Sequence, residues 1–542
     1  MARNDETQVA RRFHDATKYL EVPEEVNPQR FAMGTLPNVE NAIWQEDWSI
    51  EPVPPYKVYE DLPRIEIPLA LPSMEVAREI PQGTMPALQA LVAYGDEPQG
   101  KRVPDRDTLV RIAMLSNGFL KTGGHRADGT VIEYRTAGGT GARYHLEEYF
   151  ITGDLEGLEA GIYHYSAQDH SLRQVRKGDF RRVLMEATGG EPSVAEAPVI
   201  LAMTSTFWRN AWRYKGRAYR HAFWDAGTTM TNVLAVAASL ELPAKVIFGF
   251  ADAAVNALLG VDGDREATLL LATIGRGGDP AAEAPPVTAL NHRVRVISER
   301  EVEFPIIGET HRGASLASGT EAATWRAHPL VRVEPEPASD RMVSLRPLAD
   351  DALPAMPIED LIRKRRSTRN YDTDVAIDFE AFSTLVDRST RGFACDALAP
   401  GALPLHEQFL IVHAVKELAP GVYKVHPQRG ALELVKEGLF REQSTRLAAM
   451  QEYAGKSHVN SYGLTDLDAV LGAYGNRGYR LAQFEAALYG SRLHLGTHAV
   501  GLGAVGSTSF DDEVVEFLTP GREQMAYLFV FVFGKRRRKA AS

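Results

Sequence analysis

Hydrophobic and polar positions along the chain follow two periods, and each period predicts a different kind of element. The runs PVILAMTST (198–206) and MAYLFVFVF (525–533) are short, apolar and rich in β-branched or aromatic residues, so we predict buried strands there. In RLAQFEAALYGSRLHLGTHAV (480–500) apolar residues recur at helical spacing, which predicts a long helix. Strands and helices do not alternate regularly. This order favours an α+β layered fold over a doubly wound parallel sheet.

The pattern occurs twice in the chain. HLEEYFITGDLEGLEAGIYHY (145–165) aligns without a gap with LHEQFLIVHAVKELAPGVYKV (405–425), at an offset of 260 residues. KGRAYRHAFWDAG (215–227) aligns with GNRGYRLAQFEAA (475–487) at the same offset. A period of this length indicates two copies of one domain rather than a solenoid. We therefore predict a tandem duplication.

Composition divides the chain into four segments. Residues 1–80 carry many prolines and are expected to form an extended N-terminal arm, followed by a first domain at 81–280. The stretch 281–354 is rich in Pro, Ala and Glu and is longer than an ordinary connection, so we expect a linker or a second arm. Residues 355–542 form the second domain.

Charge and cysteine usage narrow the function classes. The formal net charge is −11 at pH 7, which argues against nucleic-acid binding, because that function uses a basic face. The single cysteine, Cys395, excludes an internal disulfide framework, and the histidines lack a metal-ligand spacing. No apolar run reaches the ~20 residues of a membrane helix, and the N-terminus lacks the apolar run of a secretory signal. We expect a cytoplasmic protein that binds no nucleic acid, membrane or metal.

Positive charge gathers at two places in the second copy. The segment RKRRSTR (363–369) places five cationic side chains in seven positions, and KRRR (535–538) follows the last predicted strand. The corresponding stretch of the first copy, Leu91 to Gly95, carries no charge. Arginine forks and Ser or Thr hydroxyls suit phosphate oxygens, so the one-sided clusters predict an anion site in one copy. The alternatives are a solvated helix end and a solvated tail.

The run RRSTR after a helix start resembles the phosphate-binding motif of the FMN-dependent nitroreductase superfamily. Four further segments look similar to its SagB-type dehydrogenase branch, which includes the azoline oxidases of thiazole/oxazole-modified peptide biosynthesis. These segments are FHDATKYL (13–20), TAGGTGARYHLEEYFI (136–151), GLEAGIYHY (157–165) and YKGRAYRHAFWDAGTTMTN (214–232). Enzymes of this superfamily are typically two-fold dimers with FMN at the interface. The resemblance therefore implies a nitroreductase-like fold whose two copies form an intrachain pseudo-dimer.

The resemblance also implies which residues bind FMN. Arg365 and Ser367 would hold the phosphate, and Arg369 would lie at the N1–C2 edge of the flavin, where positive charge stabilises the reduced form. Glycines would let a facing loop, 137–142, and the segment GLGAVGS (501–507) approach the ring closely. The cofactor-binding residues implied in this way are Arg365, Arg366, Ser367, Arg369, Lys535 and Arg537, the loop residues Gly138, Gly139, Thr140 and Gly141, and Gly503, Ala504, Val505 and Gly506.

The reciprocal interface site is expected to be degenerate. It would use Leu91–Gly95 as its cradle, Asp396–Ala402 as its loop, and only Arg276 from the C-terminal end of the first copy. We therefore expect one FMN per chain.

One departure from the family pattern bears on the reaction. Azoline oxidases of this branch carry a Lys-Tyr pair where the first copy has Arg213 and Tyr214. Arginine stays protonated and cannot act as a general base, so Tyr214 is the better acid–base candidate, with Arg213 and Arg369 as further catalytic candidates.

We expect an FMN-dependent oxidoreductase that acts on a small molecule or on a peptide-like natural-product intermediate. A biosynthetic partner protein is a candidate for presenting that substrate, and the chain is expected to act as a monomeric pseudo-dimer or as a homodimer. One alternative is an NAD(P)H-dependent nitro- or quinone reductase. Another, from a different class, is a flavin-free peptide-binding scaffold.

Overall fold

Two groups of strands, one in each copy, form most of the β-structure. The computed structural model describes residues 4–20, 48–53, 55–67, 85–92, 101–125 and 131–537. The strands of the first copy are β1 (Ile65–Glu66), β2 (Phe119–His125), β3 (Val131–Arg135), β4 (Leu146–Thr152), β5 (Gly161–Ser166), β6 (Ser171–Lys177), β7 (Val199–Thr206), β8 (Ala244–Ile247) and β9 (Glu266–Ile274). Those that follow are β10 (Met342–Ser344), β11 (Glu407–Val412), β12 (Gly421–His426), β13 (Ala431–Glu437), β14 (Val459–Asp466), β15 (Gly503–Ser507) and β16 (Met525–Gly534).

Each copy builds one seven-stranded sheet, and the two sheets share one strand order. The first runs β1-β6-β5-β4-β7-β9-β8 and the second β10-β13-β12-β11-β14-β16-β15. The paired strands are antiparallel, as in β7 with β9 and β14 with β16. The extra length of the first copy forms a separate hairpin of β2 and β3. The predicted tandem duplication and α+β fold are confirmed.

Helices lie before, between and after these strands. The first copy and the segment before it contain α1 (Gln8–Ala16), α2 (Ala87–Ala90), α3 (Arg106–Asn117), α4 (Arg181–Ala187), α5 (Pro192–Glu196), α6 (Trp208–Tyr214), α7 (Ala218–Ser239) and α8 (Asp252–Leu259). The rest are α9 (Pro305–Gly313), α10 (Gly319–Arg326), α11 (Ile358–Lys364), α12 (Phe379–Thr390), α13 (Arg441–Leu447), α14 (Glu452–Lys456), α15 (Leu467–Tyr474), α16 (Arg477–Ala499) and α17 (Asp511–Leu518). Short 3₁₀ turns span Trp48–Ile50, Thr140–Ala142, Lys215–Arg217 and Asp350–Ala352.

The two longest helices, α7 and α16, pack against each other and join the copies. Gly227 on α7 allows the contact, because a Cβ there would lie 2.5 Å from the Phe484 carbonyl oxygen on α16. One continuous buried apolar cluster includes Met230 and Leu234 of the first copy with Phe484 and Leu488 of the second. The copies therefore share a core, and the predicted pseudo-dimer is confirmed.

Crosswise ion pairs reinforce this shared core. In each copy, two arginines at the start of the long helix donate to an aspartate that begins a helix of the other copy. All six side chains are buried. The pairs are Arg217 and Arg220 with Asp511, at 3.0 and 2.5 Å, and Arg477 and Arg480 with Asp252, at 2.6 and 2.9 Å.

The segments expected to be extended arms contribute helices to the same region. Arg220 donates to the His14 carbonyl oxygen on α1, and Arg480 donates to the His311 carbonyl oxygen on α9, both at 2.5 Å. Helices α1 and α9 thus hold equivalent places in the two copies. Each has 9 residues, too few for a sustained apolar period, which is why composition alone indicated arms.

Candidate functional site

The arginine run and the C-terminal basic segment lie side by side along the edge strand β15. Ser367 forms a parallel bridge with Ala504, and the Thr368 amide donates to the Ala504 carbonyl oxygen at 2.9 Å. Three residues further on, Tyr371 forms an antiparallel bridge with Arg536. Two clusters that are far apart in the sequence are thereby brought together. We refer to residues 365–371, β15 and residues 535–537 as the cradle.

Four arginines of the cradle lack a carboxylate partner among the described residues. Within the described ranges, no Asp or Glu oxygen lies at ion-pair distance from Arg365, Arg366, Arg369 or Arg536, whereas Arg537 pairs with Asp374 at 3.5 Å. Burial and the neighbouring Arg536 lower the pKa of Arg366, and burial lowers that of Arg365. A protein of net charge −11 thus concentrates uncompensated positive charge here. That is the electrostatic character of an anion site.

Of residues 535–537, Arg536 is the one whose side chain lies against Gly503 of β15. A Cβ at Gly503 would lie 2.9 Å from Cγ of Arg536. Lys535 contributes its charge on the other side, near His458, and Arg537 pairs with Asp374. Side chains of an extended segment alternate between two faces, so only the central residue of the three points to β15. Arg536 is therefore a further candidate ligand beside Lys535 and Arg537, which the family pattern implied.

Gly503 begins β15 at a point with no room for a side chain. A Cβ there would lie 2.2 Å from the Thr368 hydroxyl oxygen. The segment GLGAVGS is mostly an edge strand, in which Ala504 and Val505 are buried. Its pairing with β16 fixes the backbone that the arginine run contacts.

The side chain of Arg366 folds back onto its own backbone segment. Its Nη1 donates to the carbonyl oxygens of Arg363 and Arg365, both at 2.7 Å, and its amide donates to Nε2 of His498 at 3.0 Å. This side chain supports the turn of the backbone. Arg365 is the arginine that reaches the other copy.

The glycine loop of the first copy, residues 137–142, faces Arg365 of the second. A Cβ at Gly138 would lie 3.7 Å from Nη1 of Arg365, and Nε of Arg365 donates to the Thr136 carbonyl oxygen at 3.4 Å. The expected meeting of loop and arginine run across the pseudo-dimer is therefore present. The site is built from both copies.

Asp225 on α7 holds this loop in place. Its carboxylate accepts from the Thr140 amide at 2.9 and 3.0 Å and from the Thr140 hydroxyl at 2.7 Å. Nε2 of His145 lies 2.9 Å from the same carboxylate, and Nδ1 of His145 lies 2.8 Å from the Ser205 hydroxyl. Sequence reasoning missed Asp225, because only the fold places it under the loop. It ties the loop rigidly to the central helix pair.

Tyr214 lies against the same loop. Gly141 has a positive φ of 61°, and a Cβ on it would lie 2.4 Å from the Tyr214 hydroxyl oxygen. The ring of His221 stands edge-on to that of Tyr214 at 4.6 Å, and burial lowers the pKa of His221 well below its usual value. Arg213 lies close by, with Cζ 5.8 Å from the Tyr214 ring. A neutral imidazole beside a phenol can exchange protons with a group at the loop.

Arg369 lies towards the far end of β15 from Gly503. Its Cζ is 5.9 Å from the ring of Tyr453, whose hydroxyl lies 2.9 Å from that of Ser507. Tyr453 was not predicted, since nothing in the sequence links α14 to this strand. At the offset of 260 the first copy has Ser193 in its place. The cradle thus carries separate cations near its two ends.

At the position of the reciprocal site, residues 395–397 lie directly against β8 and the loop that follows it. Cys395 bridges Val246 of β8 directly, and the Asp396 carboxylate accepts from the amides of Phe248 and Gly249, both at 2.8 Å. The hydroxyl of Tyr474, the counterpart of Tyr214, donates to the Ala397 carbonyl oxygen at 2.8 Å. In the predicted cradle of this site, Leu91 and Val92 are described, and 93–95 lie outside the described residues.

The described residues contain neither a membrane-spanning helix nor a metal-binding cluster. No helix found there is both long and apolar enough to cross a bilayer. Nor do His, Cys, Asp and Glu side chains in those ranges gather into a group of three or more that would hold a metal ion.

Comparisons with known proteins agree with this architecture. A crystal structure of a provisionally named nitroreductase from Anabaena variabilis ATCC 29413 matches 98% of this chain and 99% of its own, with a TM-score of 0.71 at 23% identity. This shows that the two proteins share a fold. MJ1384 of Methanocaldococcus jannaschii, also provisionally named a nitroreductase, is 29% identical over 143 residues, which are 26% of this chain and 71% of that protein.

A second curated relative carries a different kind of name. The trifolitoxin-processing protein TfxB of Rhizobium leguminosarum bv. trifolii is 32% identical over 127 residues, which are 22% of this chain and 34% of TfxB. The match thus spans about a third of that relative.

A family model settles the broader assignment. The model described as the nitroreductase family matches residues 136–276 and 362–535. These two stretches make up more than half of the chain, one in each copy, and they include the glycine loop, the arginine run and β15. Members of this family are oxidoreductases. With two such domains fused and packed as a pseudo-dimer, the chain belongs to the nitroreductase family.

Proposed function

We propose that the chain is an FMN-dependent oxidoreductase of SagB type, with one flavin site per chain, acting on a peptide or peptide-like intermediate. The observation that carries the proposal is that the cradle of one copy faces the glycine loop of the other. Four arginines of that cradle have no carboxylate partner among the described residues. Nitroreductase-family proteins typically use FMN. The reciprocal site, where Cys395 and Asp396 occupy the edge of β8, supports a single flavin.

The residues present fit a flavin mononucleotide. Arg365, Ser367 and Arg536 would hold the phosphate, since they combine uncompensated charge with a hydroxyl donor. Gly503 and Gly138 keep the cradle and the loop free of side chains that would fill the space. Arg369 would supply positive charge to the flavin edge. When bound, FMN supplies two-electron chemistry, which none of the side chains can provide alone.

The residues beside the glycine loop would handle protons. Tyr214 and His221 lie together there, and His221 is neutral because burial lowers its pKa. Arg213 stays protonated and would hold charge rather than move a proton. In the other copy the hydroxyl of Tyr474 is committed to backbone groups, donating to Ala397 and accepting from the Leu330 amide at 2.8 Å. Because Tyr474 holds backbone in place, we assign the proton-transfer role to Tyr214, which lies against the glycine loop.

The substrate class rests on the resemblance to the SagB-type branch and on the likeness to TfxB, a protein named for processing trifolitoxin. The competing assignment is an NAD(P)H-dependent nitro- or quinone reductase, which the provisional name of MJ1384 favours. Steady NADPH consumption with a quinone as acceptor would support the reductase. A dedicated dehydrogenase would instead oxidise its substrate and pass the electrons to oxygen.

Binding of FMN at a ratio of one per chain is the first expected result. We expect the purified protein to show a flavin spectrum, and Arg365→Gln to weaken FMN binding by roughly tenfold or more, because a charge-assisted contact is worth about 1.5–3 kcal/mol. Riboflavin, which lacks the phosphate, should bind both proteins equally. The control is Arg391→Gln, an exposed arginine that pairs with Asp387. A ratio near two FMN per chain would reject the hypothesis of one site. Absence of bound flavin would also reject it and would favour the flavin-free peptide-binding scaffold.

Arg369 should affect the redox properties of the bound flavin more than its affinity. Reduction adds negative charge to the ring, and a nearby cation stabilises it. Loss of about 1.5–3 kcal/mol of this stabilisation lowers a two-electron potential by roughly 30–60 mV. We expect Arg369→Gln to show this shift in potentiometric titration at saturating FMN, and Arg365→Gln to leave the potential unchanged. Equal potentials in both variants would make Arg369 a binding residue only.

A further inference from the structure

Arg217 leaves one edge of its guanidinium group open inside the protein. Its Nη1 donates to the Thr17 carbonyl oxygen at 2.6 Å and to Asp511 at 3.0 Å. The residue is only 3% exposed, yet among the described residues neither Nε nor Nη2 has a hydrogen-bond partner. Buried donors are nearly always satisfied, so a group from outside the chain is expected to occupy this edge.

In the other copy, the equivalent guanidinium edge is fully hydrogen-bonded within the protein. Arg477 is the counterpart of Arg217, and its Nε and Nη2 donate to the carbonyl oxygens of Phe248 and Phe250 at 2.5 and 3.4 Å. Those carbonyls belong to the loop 248–251 between β8 and α8. The matching loop between β15 and α17, residues 508–510, is one residue shorter. The open edge therefore occurs only on the side of the molecule that holds the cradle.

Aromatic rings lie against the guanidinium group of Arg217 and connect it to β15. Cζ of Arg217 lies 3.8 Å from the ring centroid of Tyr19 and 5.6 Å from that of Trp224. Trp224 in turn lies 4.8 Å from Phe529, and a Cβ at Gly506 would lie 3.3 Å from Cζ of Phe529. Two aromatic side chains in series, Trp224 and Phe529, thus connect Arg217 to the cradle strand. A ligand at Arg217 would lie on the same side of the molecule as the candidate flavin site.

The geometry and charge of this position suit one ligand class. Nε and Nη2 form the side-on fork that matches the two oxygens of a carboxylate. Two fully buried guanidinium groups, Arg217 and Arg220, share the single buried carboxylate of Asp511, so the buried charges sum to a positive excess. We propose that the Nε–Nη2 edge of Arg217 binds a carboxylate group of the substrate. That the carboxylate belongs to a substrate rests on the proposed function.

Benzoate is a suitable probe, since it presents a carboxylate on a flat ring that fits between aromatic side chains. We would titrate the full-length protein, with and without added FMN, by calorimetry, using neutral benzamide in parallel. Wild-type protein is expected to bind benzoate at least about tenfold more tightly than benzamide. Arg217→Gln should lose at least about tenfold in benzoate affinity, the scale of a lost charge-assisted contact.

Arg477→Gln is the matched control, because it removes the equivalent arginine from the equivalent ion pair. Its benzoate affinity should stay within about twofold of wild type, while its loss of stability in urea should match that of Arg217→Gln. Arg217→Lys retains the charge but not the two-pronged donor geometry, so its benzoate affinity should also fall. This variant tests the proposal even if the glutamine variant fails to fold.

Two results would overturn the proposal. Absence of saturable benzoate binding by the wild type would mean that the edge holds ordered water only. Equal losses in Arg217→Gln and Arg477→Gln would mean that the arginine acts through the ion pair. Failure of the proposed function would give a different result. A protein that binds benzoate selectively but binds no FMN would have the carboxylate site without being a flavin enzyme.

Discussion

Replacement of Asp252 with alanine is expected to lower the free energy of unfolding by about 3–5 kcal/mol, because it leaves two buried guanidinium groups without their counter-charge. Asp252 is 3% exposed and accepts from Arg477 at 2.6 Å, from Arg480 at 2.9 Å and from the Leu316 amide at 2.9 Å. Both arginines come from the other copy. The loss should therefore weaken the packing of the copies as well as the local structure.

Urea unfolding followed by two probes would test this. We expect the far-UV circular dichroism and the tryptophan fluorescence of the variant to unfold at a lower urea concentration, and to separate if the copies uncouple. Asp340→Ala is the control, since that side chain is exposed and has no ion pair among the described residues. A decrease below about 1 kcal/mol would show that burial of the arginines does not depend on Asp252.

The duplication was predictable because it leaves a direct trace in the sequence. Two segments align at one offset, and apolar runs such as 198–206 and 525–533 have the length and composition of buried strands. The short helices α1 and α9 left no such trace. They are fixed by tertiary hydrogen bonds, from Arg220 to His14 and from Arg480 to His311, which no periodicity reveals.

The candidate site was predictable to the level of segments and less so to the level of atoms. The facing of Arg365 and the loop at 137–142 follows from the family pattern and is present in the structure. Which of Lys535, Arg536 and Arg537 faces β15 depends on how side chains alternate along the extended backbone. A shift of one residue moves a side chain to the opposite face. Asp225 lay beyond sequence reasoning, because it contacts the loop only through the fold.

The two copies differ in how they satisfy the polar groups beside their edge strands. On the side of β8, Asp396 caps the amides of the following loop, and carbonyls of that loop close the edge of Arg477. On the side of β15, Nε and Nη2 of Arg217 have no hydrogen-bond partner among the described residues. The guanidinium edge is thus satisfied within the protein on the first side and remains available on the second. This division is what duplication followed by divergence permits.

The two copies also differ at Glu148, a buried carboxyl group that makes the free energy of unfolding depend on pH. It is fully buried on β4, and burial raises its pKa to about 8, with the nearby Glu147 adding to the increase. Its Oε2 lies 3.0 Å from the Ser116 hydroxyl, which also lies 3.0 Å from the Ala113 carbonyl oxygen. Because the serine has a single proton to give, a protonated Glu148 can donate from Oε2 to Ser116 while Ser116 donates to Ala113, and Oε1 has no partner among the described residues. The second copy has Gln408 at this position, donating to Ser461 at 2.8 Å.

Glu148→Gln is therefore expected to stabilise the protein, and more so as the pH rises. An unfolded glutamate ionises near pH 4.3. Between that value and about pH 8 the native wild type holds a proton that unfolding releases, so its free energy of unfolding falls with rising pH by up to about 1.4 kcal/mol per unit. Glutamine removes this slope. The variant should gain roughly 2–4 kcal/mol over wild type at pH 8 and much less at pH 5.

The adjacent Glu147 provides a control of opposite sign. Although burial opposes its ionisation, Arg209 and His164 hold its pKa down at about 2, so its stabilising contribution is present above the unfolded pKa and lost in acid. Glu147→Gln should destabilise the protein at neutral pH by breaking a buried ion pair. Urea unfolding of the three proteins at pH 5, 6.5 and 8 separates the two effects. A difference between Glu148→Gln and wild type that does not grow with pH would mean that Glu148 is ionised in the native protein.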